Sequence, residues 1–415
     1  MTAKVRHITN CRACGSDKLE PYLSMPDSPP ANRLVDSPDA ISEKFEVKVL
    51  LCTDCFLSQL SVVVNPSDLY SDYTYHSAIS RTWRDHCRDL ARTILEDFEF
   101  KREIPNLLDI ASNDGCLLEE FKEEGFIVAG FEPCEKMARE CNSRGLHTVN
   151  AFFDRPNAAR CGEYQMDVIT ATNVLAHVDD LEGFIEGVKF FLEPKKGIFV
   201  IEVPHMLKLL DFNQFDTVYH EHLSYFLLGP MIGLFKKLGL DIFRVDRLDI
   251  HGGSIRVYAC VEGTRQIDTS VYSCIYDEKQ GKMYTVEIYH EFAGWIKRLG
   301  DDMRTVLGFC RSTEKKVMGY GASAKGISLI NYLGVGKLIH SIVDETPYKI
   351  GKFAPGSGLP IVGFEAFELQ KPDYILLLAW NFAEEMMKKT KHLGAKYIVP
   401  IPVPEILVDA TEQVA

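Results

Sequence analysis

Leu107-Leu108-Asp109-Ile110-Ala111-Ser112-Asn113-Asp114-Gly115, answered by Gly130-Phe131-Glu132-Pro133, is the stretch whose reading decides the fold. A short apolar run closes on Asp109 and gives way to a turn of small residues ending in Gly115. A helix-like stretch follows from Cys116 to Glu124, and the next apolar run, Ile127 to Phe131, ends in Glu132. The order is strand, turn, helix, strand, with a carboxylate at the tip of the second strand. A carboxylate there suits the two hydroxyls of an adenosine ribose, and the turn lets the backbone approach the ligand closely. The turn lacks G-x-G-x-x-G, which weighs against a dinucleotide.

Working outward, Asn150-Ala151-Phe152-Phe153 offers Phe152 as a flank for an adenine. Met166 to His177 reads as a buried parallel strand that delivers Asn173 and His177 at its C-terminal end, where open α/β sheets bind ligands. Gly197 to Val203 is another such strand, closing in Glu202 and Pro204. Asp109, Asn113, Gly115, Glu132, Phe152 and Asn173 are therefore the candidate cofactor residues. The D-x-x-x-x-x-G spacing, with a Glu after the second strand, looks like the S-adenosylmethionine (SAM) site of Rossmann-like methyltransferases.

Upstream stand Cys11-Arg12-Ala13-Cys14 and Cys52-Thr53-Asp54-Cys55. Two C-x-x-C knuckles let four thiolates converge on zinc, with Phe45 to Leu50 as the strand feeding the second. Redox pairs or unrelated thiols are the competing readings, and the doubling of the motif favours zinc. Four thiolates close the coordination shell, so the metal's role is structural. The other eight of the twelve cysteines are scattered among apolar residues, as small buried hydrophobes are. The 415 residues allow two or three domains, and 46% hydrophobic with 25% charged residues is ordinary for a globular chain. A net charge of −13 argues against a nucleic-acid surface. No apolar stretch is long enough to span a bilayer and the N-terminus has no apolar leader, so the expected place is the cytoplasm.

The densest chemistry lies in Phe215-Asp216-Thr217-Val218-Tyr219-His220-Glu221-His222-Leu223-Ser224-Tyr225-Phe226. Three readings stay open for it: a metal pair of His220 and His222, a structural cluster of satisfied histidines, and acid/base machinery. For proton abstraction a His near its working pKa, oriented by an adjacent Glu, is the economical arrangement, and we favour it. Asp72 to Ser80, rich in aromatic and hydroxyl groups before a helical pattern, suits either ligand contact or a capped helix start. His251 precedes a Gly-Gly turn and a strand, and the bland reading is preferred for it.

A polar, helix-prone stretch from about Tyr276 to Glu314 links to a further domain, with Trp295 and Ile296 on its apolar face. That domain opens on Lys316-Val317-Met318-Gly319-Tyr320-Gly321-Ala322-Ser323-Ala324-Lys325-Gly326, a G-x-G after a strand that suits a phosphate at a helix N-terminus. Its next strand ends at Asp344. Lys352 follows in a Gly/Pro-rich loop expected to face the phosphate turn, a solvated lysine being the alternative.

Taken in order, the double C-x-x-C, D-I-A-S-N-D-G, T-N-V-L-A-H-V, Y-H-E-H-L-S-Y-F, G-Y-G-A-S-A-K-G, D-E-T-P-Y-K-I-G-K and L-L-L-A-W-N-F resemble the SAM-dependent sugar C-methyltransferases, over nearly the whole chain. Those enzymes build branched deoxysugars on nucleotide-linked 4-keto hexoses. The resemblance implies an α/β chain of three domains: zinc-binding at residues 1–70, Rossmann-like SAM methyltransferase at 71–290, and Rossmann-like nucleotide-sugar binding at 291–415. It implies a monomer whose cofactors are SAM and a structural zinc held by Cys11, Cys14, Cys52 and Cys55. Asp109, Asn113, Gly115 and Glu132 would hold SAM. Tyr75, His177, Tyr219, Glu221 and His222 would surround the sugar, with His222 as the base, and Ser77 nearby. Lys325 and Lys352 would lie on the nucleotide side. The chain departs from the family at Ala78, where a second serine is expected, and at Ile350, where Gln is. Both bear on the sugar or the nucleotide base rather than on the reaction.

The expected chemistry is removal of the C3 proton by His222, with Glu221 orienting its ring. Tyr219 or His177 donates to the enolate oxygen. The rivals are an NAD-dependent nucleotide-sugar oxidoreductase or epimerase built on the C-terminal G-x-G, an O- or N-methyltransferase, and a non-catalytic zinc-ribbon adaptor.

Overall fold

Near-continuous apolar runs become strands covered on both faces, because a parallel sheet flanked by helices leaves no face for polar alternation. The computed structural model of the protein describes residues 5–70, 81–162, 164–250 and 252–408. Its central sheet holds Asn106–Ile110, Ile127–Phe131, His147–Val149, Val168–Thr172, Ile198–Pro204, Leu240–Leu248 and Ser254–Val261. Counting only these in chain order, they lie across the sheet as 3-2-1-4-5-7-6. The first five are parallel, and Ser254–Val261 runs antiparallel to both its neighbours. The order reverses between Asn106–Ile110 and Val168–Thr172, which opens a crevice beyond their C-terminal ends. Asp109 is paired with Gly130 on one side and Thr170 on the other, so the decisive stretch sits at that switch point.

The C-terminal sheet repeats the logic. Val317–Tyr320, Ile342–Val343, Ile361–Val362, Tyr374–Leu377, Lys396–Val399 and Glu405–Leu407 lie in the order 3-2-1-4-5-6, with only the last strand antiparallel. The helix Val286–Ser312 joins the two sheets. It buries Tyr289, Phe292, Ile296, Leu299, Met303, Leu307 and Cys310, a stripe at three- and four-residue spacing that faces the core. The expected change of domain between residues 290 and 291 falls inside this helix, so the two α/β units share it.

The N-terminal unit is antiparallel. Leu19–Ser28, Phe45–Cys52 and Ser58–Leu60 form a sheet whose fourth strand, Ser224–Tyr225, comes from the histidine-rich block far along the chain. Ser224 pairs with Gln59 and Tyr225 with Ser58. One hydrophobic core joins this sheet to the C-terminal unit, running through Val49, Phe215, Tyr225, Ile296 and Ile330. The candidate residues of the 215–226 block are thus fixed by two units outside the central sheet.

Candidate active site and metal knuckle

The crevice at the switch point is built on a constrained backbone. Ala111, Asn113 and Gly115 take left-handed φ values of 56°, 51° and 79°. Two of the three are not glycine, and such conformations persist where the surroundings dictate them and cluster at ligand sites. Glu132 explains part of this. Its two carboxylate oxygens accept from the amides of Asn113 and Cys134, both at 2.8 Å, tying the turn to the tip of the neighbouring strand. Asp109 is buried and accepts from the Thr170 hydroxyl at 2.7 Å. Burial pushes the Asp109 carboxyl up to about 7, with the Thr170 hydrogen bond opposing. Burial also raises Glu132, against the pull of the two amides.

These residues fit a bound SAM. Glu132 keeps lone pairs beyond its two amide bonds. Ser112 Oγ is buried with no hydrogen-bond partner among the described residues, as a group kept for a ligand would be. Asn173, also left-handed at φ 58°, donates its amide to the Glu202 carbonyl at 2.8 Å. Glu202 is held from the far side by His86 at 2.8 Å and Arg256 at 2.6 Å, which keep it ionised against the cost of burial. Phe152 is 41% exposed and meets Tyr70 edge-on, with ring centroids 6.4 Å apart. It is available to an adenine.

Next to this crevice the histidines separate by role. His222 Nδ1 lies 3.0 Å from the Thr217 carbonyl oxygen. A carbonyl only accepts, so Nδ1 carries a hydrogen. The Tyr219 hydroxyl meets Nε2 at 2.9 Å. This corrects the expectation that Glu221 orients the ring. Both Glu221 oxygens instead accept from the Asn32 amide, at 2.8 and 2.9 Å, and burial pushes this carboxyl up to about 7. His177 packs edge-on to His222, centroids 4.9 Å apart, and its Nδ1 lies 3.0 Å from the Tyr70 hydroxyl. Burial pulls His177 down to about 4, so it is neutral near pH 7. His220 lies in the turn that the His222 amide closes on the Tyr219 carbonyl at 2.9 Å, and its ring reaches the Phe45 carbonyl at 3.3 Å instead. His220 and His222 therefore do not form a metal pair.

On the C-terminal side the turn is closed by Asp344. It accepts from the amides of Ala322 at 2.7 Å and Thr346 at 2.8 Å, the same device as Glu132 in the central sheet. Lys325 stands 5.8 Å over the Trp380 ring and faces Asp216, whose Oδ2 accepts from Trp380 Nε1 at 2.7 Å. Lys352 does not face the turn as expected. It pairs with Asp36 at the surface, and Lys349 reaches the Ala322 carbonyl at 3.0 Å and Asp344 at 3.4 Å. One turn of register separates the two lysines, and only the closed loop selects between them. Tyr75, Ser77 and His251 lie outside the described residues.

The four knuckle thiols converge. Their sulfurs all lie within 4.8 Å of one another, with Cys11–Cys55 and Cys14–Cys52 at 3.6 Å. Tetrahedral Zn–S bonds of about 2.3 Å would set sulfurs about 3.8 Å apart. The set fits structural zinc and leaves no open position. Missed at the level of sequence were Asn32, Tyr70, Thr217, Asp216, Trp380 and Lys349. Asp216 and Thr217 lay within the quoted block, Lys349 and Trp380 within the D-E-T-P-Y-K-I-G-K and L-L-L-A-W-N-F motifs, and Asn32 and Tyr70 carry no local signal.

Comparison with known proteins bears on the whole chain. A zinc binding domain model matches residues 11–70, a methyltransferase domain model 80–245, and a C-methyltransferase C-terminal domain model 249–402. The C-methyltransferase NovU of Streptomyces niveus is 34% identical over 414 residues, covering 97% of this chain and 98% of that protein. Among solved structures, magnesium protoporphyrin IX methyltransferase of Synechocystis PCC 6803 with bound SAM is 13% identical. It covers 48% of this chain and 89% of its own, with a TM-score of 0.34. The CcbJ methyltransferase of Streptomyces caelestis is 13% identical, covers 48% and 96%, and has a TM-score of 0.35. No helix among the described residues is long and apolar enough to cross a membrane.

Proposed function

The chain belongs to the SAM-dependent C-methyltransferases that carry an N-terminal zinc-binding domain, and from that premise we propose that it methylates a nucleotide-linked 4-keto deoxyhexose at C3. The observation that carries this reading is the Thr217–His222–Tyr219 chain. It holds the imidazole through Nδ1 on a carbonyl, with Nε2 already aligned on a phenol. A carbon acid beside a ketone needs both partners: a base for the C–H proton and a donor for the oxygen that takes up the electrons. As the Tyr219 hydroxyl turns to the sugar's carbonyl oxygen, it uncovers His222 Nε2 to accept the C3 proton. The electron pair moves into the enolate, and the imidazolium later releases its proton to water. Neutral His177 packs against the imidazole edge and excludes water on that side. SAM, bound at Asp109, Asn113, Gly115, Glu132, Phe152 and Asn173, supplies the sulfonium methyl group for the carbon nucleophile.

Lys325 and Lys349, beside the C-terminal turn, suit the diphosphate of the sugar nucleotide, with Lys352 further out. Residues from the N-terminal, central and C-terminal units meet at the site, so we infer a monomer, and its twelve free cysteines suit the reducing cytoplasm. The test is transfer of isotopically labelled methyl from SAM to a panel of nucleotide-linked 4-keto sugars, with NMR of the product. Label on the carbon beside the ketone is expected, and label on oxygen or nitrogen would overturn the reading. His222→Asn should lower turnover by about 10²–10⁴-fold with SAM affinity unchanged by calorimetry. A fully active variant would remove His222 from the role.

A further inference from the structure

Arg12 stands between two of the knuckle's thiol ligands, and its side chain is only 3% exposed. Its backbone amide donates to Gln59 Oε1 at 3.1 Å. Nη1 donates to that same oxygen at 3.2 Å, to the Leu60 carbonyl at 3.0 Å and to the Leu223 carbonyl at 3.2 Å. Nε donates to Asp179 Oδ1 at 3.2 Å. Leu223 follows His222 in the chain, and Asp179 lies two residues beyond His177. One guanidinium therefore binds the two segments whose imidazoles meet at 4.9 Å. Those segments touch directly as well, since the Leu223 amide donates to the Ala176 carbonyl at 2.7 Å.

The planar fork of an arginine has little freedom once several of its N–H groups are engaged, which makes it a ruler between the groups it binds. Where its Cα sits is set by Cys11 and Cys14, which converge with Cys52 and Cys55 on one metal position. The cofactor crevice is assembled separately. Asp109 is held by Thr170, and Glu132 by Asn113 and Cys134, all within the central sheet.

We propose that Arg12 is a positioning residue for methyl transfer: it ties the zinc knuckle to the His177 and His222 segments, so that the zinc-binding unit sets the geometry of the imidazole pair without taking part in SAM binding. This rests on His222 being the base. It gives the zinc-binding unit a task in catalysis, where closed coordination alone would make it only a staple for folding.

The experiment uses the full zinc-loaded chain with Arg12→Gln, Asp179→Asn and the double variant. Zinc content, SAM affinity by calorimetry, and kcat and KM for labelled-methyl transfer are measured on each. Arg12→Gln should keep one zinc per chain and a SAM Kd within about twofold of the parent, while kcat falls on the order of 10²-fold, the scale of a small misplacement of reacting groups. Asp179→Asn, which also loses the Arg6 pair, should fall in the same direction, and the double variant should lose clearly less than the two losses combined, because both changes break the shared Arg12–Asp179 tie. Unchanged kcat in Arg12→Gln would overturn the proposal. So would loss of zinc or SAM binding in step with kcat, or fully additive losses. His222→Asn run alongside separates the two readings. If it is active, the assignment of the base has failed. If it is inactive while Arg12→Gln is fully active, only the proposal about Arg12 has failed.

Discussion

A carboxyl buried beside a cofactor site is a pH sensor for the cofactor's charge. Asp109 has one strong hydrogen bond, from Thr170, and burial lifts it from 3.8 to about 7. Its folded pKa lies above its unfolded value. The ionised form therefore costs stability, and that cost appears as pH rises from about 4 to 7. SAM carries a sulfonium and an ammonium, which favour the ionised carboxylate. SAM affinity should accordingly rise severalfold between pH 6 and 8 in calorimetric titrations, with proton release on binding, and Asp109→Asn should flatten the dependence. Equal slopes in parent and variant would show that another group titrates. The neighbouring imidazoles divide by the same physics. His222 has its hydrogen placed by the Thr217 carbonyl, while burial alone keeps His177 neutral.

The turn from the strand Asn106–Ile110 to the helix Cys116–Glu123 is the element that makes the crevice, and it depends on Gly115. At φ 79° a side chain is strained whatever the space, and a Cβ there would stand 2.7 Å from Leu146 Cδ1 and 2.9 Å from Cys141 Sγ. Gly115→Ala should destabilise the chain by about 2 kcal/mol in chemical denaturation. SAM affinity should fall with it, since relief of the clash moves the turn that Glu132 grips. The strand Ser224–Tyr225 makes a different point at this scale. Two residues are too few to hold a register alone. Pairing with Ser58–Leu60 and a core of Val49, Leu60 and Leu223 fix the adjacent His222.

At the scale of the molecule, the three units meet on polar contacts of unequal value. The exposed Lys352–Asp36 pair belongs to the class that contributes between nothing and about 1 kcal/mol. Asp216 is different, because it is buried. Trp380 Nε1 supplies the hydrogen bond to Oδ2, Lys325 faces the carboxyl, and Oδ1 has no hydrogen-bond partner among the described residues. Trp380→Phe keeps an aromatic ring, though a smaller one, and deletes the donor, so it should cost about 1–3 kcal/mol of stability, the penalty for a stranded buried acceptor. Because Asp216 adjoins Thr217 and faces Lys325, KM for the sugar nucleotide should rise while SAM affinity stays constant. A matching loss of SAM affinity would show that the contact is a general fold determinant instead.

Several features were legible in the chain itself because they are local. The turn between Asp109 and Gly115, the carboxylate at Glu132, the paired cysteines and the G-x-G at Gly319 to Gly321 each bring their parts together within one strand-turn-helix or one knuckle. An extended chain would set His220 and His222 on one face, and it is the turn closed by the His222 amide on the Tyr219 carbonyl at 2.9 Å that separates them. What the residues alone left open was every partner chosen at long range. Asn32 takes Glu221 away from His222, the Thr217 carbonyl orients the imidazole, and Arg12 reaches Asp179 and Leu223. Lys349 takes the place expected of Lys352. Local motifs were readable because backbone geometry and spacing determine them. These pairings were not, because they depend on which distant surfaces become neighbours once the three units bury their apolar faces against one another, and only the tertiary structure decides that.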